Sequence, residues 1–235
     1  MHNIYISLTA AVAPALVILW YFYKQDQAKP EPKRLVLRVF FFGILSTIPL
    51  LLLDMLLTNH WQIYLKMPGI IYEIFTAYIQ AGFFEELVKL LVVLTVVYRH
   101  RHFDEVTDGI IYTITASLGF ACLENILYVT GRPLAVAVAR ALTAVPFHAV
   151  CSGVMGYYVG RARFTRYKSL EIRLILTGFI LSVLLHGTYN FLLFLSPFFG
   201  SLYSMIIIPV IYLAFKRVQS GLKKAADLDR RNNRI

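Results

Sequence analysis

The sequence predicts an all-α, polytopic membrane helix bundle of about seven transmembrane helices, and three observations carry that reading. Of 235 residues, 58% are hydrophobic and only 15% charged, whereas a soluble domain carries about 25% charged residues. Mean hydropathy is +0.65. Apolar runs of roughly 20 residues recur along the chain, each long enough to cross a bilayer as a helix. No soluble domain of useful size fits between them.

Seven spans follow in order: 4–23, 35–57, 70–98, 106–130, 133–160, 172–195 and 199–217. The first has no positive region ahead of it and reads as a retained span, not a cleaved leader. Arg38 lies near one end of the second and can snorkel to the interface. Asp54 and Glu73 also lie near span ends. The third span is long for one crossing, and an eighth helix results if PGIIYEIF forms a tilted or interfacial segment of its own. The fourth opens with Asp108, placed to cap a helix N-terminus. In the fifth, Gly153, Gly156 and Gly160 would let another helix approach closely. Cys122 and Cys151 fall inside spans as small core residues, and no metal-type cysteine spacing occurs. Residues 1–217 thus form the membrane domain, and 218–235 a basic tail.

Loop charge sets the expected orientation. Segment 24–34 holds Lys24, Lys29, Lys33 and Arg34; segment 99–105 holds Arg99 and Arg101; segment 161–171 holds Arg161, Arg163, Arg166 and Lys168. The tail from Lys216 holds seven more, while the alternate loops hold only Lys66 and Arg132. The N-terminus is therefore expected outside and the C-terminus in the cytoplasm. The net charge of +10 then faces anionic inner-leaflet lipid, at about 1 kcal/mol per residue. That placement argues against a nucleic-acid partner.

Some charges lie deep in the spans: Glu85, Glu86, Lys89, Glu124 and Arg140, accompanied by His148, His186, Asn125 and Asn190. Each buried charge costs about 2.5–3.5 kcal/mol at mid-bilayer, so five facing lipid alone would cost on the order of 12–18 kcal/mol. That exceeds the stability of a typical protein. They must pair or share a wet cavity, and with neutral histidines they sum to minus one. Glu85 and Lys89 are four apart, in the favourable order for an ion pair on one helix face. Glu86 is turned about 100° from Glu85, so the two carboxylates have different surroundings. His186 and Asn190 are four apart, and Arg140 and His148 eight apart, on one side. Counted from the expected outer ends at 1.5 Å per residue, the cluster lies roughly 9 to 22 Å deep. An outward or sideways opening follows.

Such a set suits hydrolysis. A glutamate tuned by a nearby lysine can act as base on water, with His148, His186 or Asn190 donating to an oxyanion. Ser117, Ser152, Ser182 and Cys151 have no nucleophile context. Zinc held by His148, His186 and a glutamate is chemically permissible, although no H-E-x-x-H occurs; a metal-free site is expected.

These residues resemble the PrsW family of bacterial membrane-embedded proteases, itself similar to the CAAX-processing and bacteriocin-processing membrane proteases. Its glutamate pair with a lysine three further on matches Glu85, Glu86 and Lys89. Its phenylalanine-x-x-x-glutamate motif matches Phe120 and Glu124. Its arginine, histidine and glycine, each eight apart, match Arg140, His148 and Gly156. Its last histidine matches His186, with Asn190 where aspartate is usual. The resemblance covers residues 85–190 and implies a catalytic core at 70–195. It also implies a bacterial inner-membrane location and a first cut, outside the cytoplasm, in an anti-sigma factor or similar single-pass protein. In that reading Glu85 or Glu86 activates water, Glu85 being favoured as base. Two alternatives to proteolysis are a proton-coupled transporter, since buried Glu, Lys and His also serve proton relays, and a non-catalytic scaffold holding a transmembrane client. No repeated halves of the kind carriers show are visible.

Overall fold

The computed structural model describes residues 4–25, 29–58, 68–199 and 205–232, which contain helices and turns and no strand. Lys66 and the side chain of Asp54 lie outside the described residues. The helices are α1 (Ile4–Tyr23), α2 (Lys33–Leu45), α3 (Thr47–Thr58), α4 (Gly69–Phe75), a π-helical segment (Thr76–Glu85), α5 (Glu86–Val96), α6 (Val106–Val129), α7 (Leu134–Leu142), α8 (Ala144–Arg163), α9 (Lys168–Phe199) and α10 (Ile207–Asn232). Every predicted span holds a helix. Among the described residues four stretches are long and apolar enough to cross a membrane: Lys33–Leu53, Val106–Val129, Leu134–Arg163 and Lys168–Leu195.

Two predicted spans are broken where the sequence dictates it. Proline clashes with the carbonyl four residues before it and donates no hydrogen bond. Pro49 points back to Leu45, where α2 ends, and the Ser46 hydroxyl donates to the carbonyl of Gly43 at 2.7 Å. Pro146 points back to Leu142, where α7 ends, and Thr143 leaves helical geometry at φ −123°. The third span is continuous: PGIIYEIF runs from α4 into the π segment and on into α5.

α6 is the axis of the bundle. It is buried without interruption from Val106 to Cys122, as a helix enclosed on all sides must be. Glycines make that enclosure close. A Cβ at Gly109 would strike the backbone of Gly156 and Gly160, so α6 and α8 cross in direct contact there. Gly43 and Gly119 do the same for α2 against α6. The lipid-type face is plain on α9, where Ile172, Leu176, Ile180 and Leu184 are exposed at a step of four. Its opposite face carries buried Ser182 and His186.

α10 extends well beyond the span read from hydropathy, through most of the basic tail. Val218, Leu222, Ala225 and Asp229 are buried, at the spacing of one helix stripe. Asp229 accepts the backbone N–H of Val106 at 2.6 Å and of Thr107 at 3.1 Å, and the Thr107 hydroxyl at 2.8 Å. Asp108 caps the same end, as expected, by accepting the N–H groups of Asp104 and Glu105.

Candidate active site

The π segment ends at Glu85, and α5 begins at Glu86, so a change of helical winding falls between the adjacent carboxylates. The wider segment crosses α9 closely, with Gly82 against the backbone of Val183 and Gly187 against the Tyr78 ring. That crossing brings the end of the π segment beside His186. π-helical turns occur frequently at functional sites.

Glu86 is fully buried and fully occupied. One oxygen takes the Lys89 ammonium at 2.7 Å and His186 Nδ1 at 2.9 Å. The other takes the hydroxyls of Ser182 at 2.5 Å and Ser152 at 3.2 Å. A carboxylate accepts only, so Nδ1 of His186 carries the proton and its Nε2 is left as an acceptor.

Lys89 is also fully buried. Besides Glu86, its ammonium reaches Nδ1 of His148 at 3.0 Å and Glu85 at 3.5 Å, and lies 4.5 Å from the Phe120 ring centre. An ammonium donates only, so Nδ1 of His148 accepts and Nε2 carries the proton. That Nε2 meets Glu124 at 3.1 Å. Glu124 also takes Arg140 at 2.6 Å, Arg140 donates to Asn125 at 2.7 Å, and Asn125 donates to the carbonyl of Ala11 at 3.0 Å. Arg140 and His148 sit on separate helices across the Thr143 break and still converge on one carboxylate.

With Glu86 paired closely to Lys89 and Glu124 to Arg140, Glu85 is the carboxylate with only long ionic contacts, to Lys89 at 3.5 Å and His186 at 3.8 Å. Its carboxylate faces a cavity of about 460 Å³. The same cavity is lined by Glu124, Arg140, His148, His186 and Asn190, and on its apolar side by residues such as Leu50, Leu51 and Leu193. His186 Nε2 lies 3.8 Å from Glu85, and the two imidazoles are nearly perpendicular with centres 4.9 Å apart. All the walls belong to the ends of their helices farthest from the basic segments 24–34, 99–105 and 161–171.

The residue set fits a metal ion by its chemistry. Ligand atoms of Glu85, His148 and His186 all lie within 4.8 Å of one another. Each imidazole is held on one nitrogen by a carboxylate, Glu86 or Glu124, an arrangement that orients metal-ligating histidines.

All eight predicted site residues converge here, with one pairing different from that expected. The anticipated Glu85–Lys89 pair is the longer contact, at 3.5 Å against 2.7 Å for Glu86, and Glu85 lines the cavity. Gly156 of the arginine–histidine–glycine pattern touches α6 and not the cavity. Ser152 and Ser182, noted only as weak nucleophile candidates, bind Glu86. The signal was their spacing, since each lies four residues from a site histidine.

The chain is similar to known membrane-embedded proteases. A protease named PrsW from Bacillus subtilis is 38% identical over 186 residues, covering 79% of this chain and 82% of that one. One from Geobacillus kaustophilus is 37% identical over 215 residues, covering 91% of each chain, and one from Clostridioides difficile is 29% identical over 192 residues, covering 79% and 78%. No solved structure matches. Residues 31–215 match the family described as PrsW family intramembrane metalloprotease. With that match spanning every helix that contributes to the cavity, the chain belongs to the PrsW family and is an intramembrane peptidase.

Proposed function

We propose that the chain hydrolyses a peptide bond in a single-pass membrane protein, with Glu85 as the base that activates water. One observation supports this above the rest: Glu85 is the site carboxylate with no close ionic partner, and it faces the cavity. The gap of 3.8 Å between Glu85 and the Nε2 acceptor of His186 suits a water that donates to both. Glu85 takes a proton as the water oxygen attacks the carbonyl carbon, then passes it to the departing amine. His186, fixed by Glu86, orients the water. Asn190, one helical turn further on, donates its amide N–H to the developing oxyanion. Lys89, His148, Glu124 and Arg140 form the charged frame that holds these groups.

A second reading is favoured by the convergence of Glu85, His148 and His186 and by the family description. In it Glu85, Nδ1 of His148 and Nε2 of His186 would hold a divalent ion, and His148 would release Lys89 to do so. Such an ion supplies Lewis-acid polarisation and a more acidic water.

The family resemblance suggests an anti-sigma factor as substrate, cut outside the cytoplasm of the bacterial inner membrane. Cleavage of a co-reconstituted anti-sigma protein should disappear in Glu85→Gln and His186→Ala. Equal cleavage by wild type and Glu85→Gln would remove the base assignment. Chelation with EDTA followed by zinc restoration separates the two readings: activity lost and regained requires the ion, and unchanged activity excludes it.

A further inference from the structure

We infer that Thr76 and Gln80 form a polar strip that binds the unwound main chain of the substrate beside the scissile bond. The inference rests on the hydrolytic reading above. Thr76, Gln80 and Glu85 all line the cavity, two wide turns along one face of the π segment. Elsewhere in the helices Thr113, Thr115, Thr177 and Thr188 return their hydroxyls to the carbonyl four residues earlier, at 2.6–2.7 Å. Thr76 does not: its hydroxyl is buried with no hydrogen-bond partner. Gln80 has no side-chain hydrogen bond among the described residues either. Of the other polar side chains at this cavity, the charged cluster holds itself together, Thr47 bonds the Phe120 carbonyl, Tyr189 bonds Thr143, and the Tyr128 ring stacks on Arg140. Thr76 and Gln80 are idle and stand on the same wall as the base.

The chemistry of the substrate explains what they are for. A transmembrane helix keeps its amides hydrogen-bonded internally, and an amide reaches Glu85 only if the helix unwinds locally. Each N–H and C=O then freed is costly in a site screened from water. A hydroxyl and a carboxamide offer donors and acceptors of the required kind, without charge. Nine residues separate Thr76 from Glu85, at most about 13 Å of helix. That matches about four extended residues at roughly 3.3 Å each. The substrate class is therefore a membrane segment that unwinds readily within about four residues of the cut, one with Gly, Ser or Asn there.

The test uses the full-length chain in liposomes and a fluorescent single-pass reporter, a Leu/Ala helix of about 20 residues with a Gly-Ser pair near one end. Thr76→Val and Gln80→Met should each lower kcat/KM roughly fivefold, the effect of one hydrogen bond, with unchanged melting temperature. Reporters carrying a single backbone ester lack one N–H. Replacement at one position next to the cut should cost wild type a similar factor and cost Gln80→Met nothing further, a coupling that a structural role would not produce. If wild type cleaves and Glu85→Gln does not, while both strip variants stay within about twofold or lose equally on amide and ester, the strip is wrong and hydrolysis stands. If wild type and Glu85→Gln behave alike, the hydrolytic reading falls and takes the strip with it.

Discussion

Adjacent glutamates with unequal surroundings are the centre of this site. Glu86 is satisfied by four donors and acts through His186, whereas Glu85 has one long contact to Lys89 and a cavity. The two should separate experimentally. Glu85→Gln should reduce kcat/KM by at least about 100-fold, the lower end of general-base contributions, and leave the melting temperature near wild type. Glu86→Gln should lower both, because a buried ammonium loses its counter-charge. Ser182→Ala removes a hydrogen bond to a buried carboxylate and should cost about 1.5–3 kcal/mol, read by thermal unfolding in detergent. In the sequence the glutamates and the histidines were visible through their spacing, whereas Ser152 and Ser182 were read only as weak nucleophile candidates. Which glutamate Lys89 would hold closely was not, because spacings of three and four both bring side chains together on one helix face.

Helix breaks and glycine contacts position these side chains at the level of elements. Pro49 and Pro146 each end the helix before them, so hydropathy alone reads one span where the chain has two helices. The Thr143 break lets Arg140 and His148 approach Glu124 from different directions. Pro146→Ala should restore helix continuity and reduce turnover without loss of stability, measured as activity against melting temperature. Gly109→Ala places a methyl into the backbone of α8 and should cost about 1–3 kcal/mol. The same change at exposed Gly69, where nothing lies within 4 Å, should be silent in unfolding experiments.

Across the whole molecule, α10 closes the bundle at the end opposite the cavity by capping α6 through Asp229. Asp229→Ala should destabilise by about 1–2 kcal/mol, and removal of residues 218–232 should be worse. Beside that cap, Glu31 is buried and accepts a hydrogen bond from Tyr112. Burial pushes its pKa above 4.5. Folded protein therefore holds this proton more tightly than unfolded protein, so Glu31's contribution to stability is present at low pH. It is lost as pH rises through the raised value. Glu31→Gln should flatten the fall in melting temperature as pH rises above about 4.5; a slope unchanged from wild type would refute the assignment. Cysteine labelling from outside intact cells, at loop 131–133 against loop 99–105, tests the expected orientation.

Composition and periodicity determined by themselves that this is an all-helical membrane protein, roughly where its apolar spans lie, and which buried polar residues must meet, because charge in hydrocarbon is too costly to leave unpaired. Only the tertiary structure decided who pairs with whom. It placed the winding change between Glu85 and Glu86, put Ser152 and Ser182 on one carboxylate, and left Thr76 and Gln80 idle on the cavity wall. Those outcomes depend on distances between helices far apart in the chain, which spacing along a single helix does not contain.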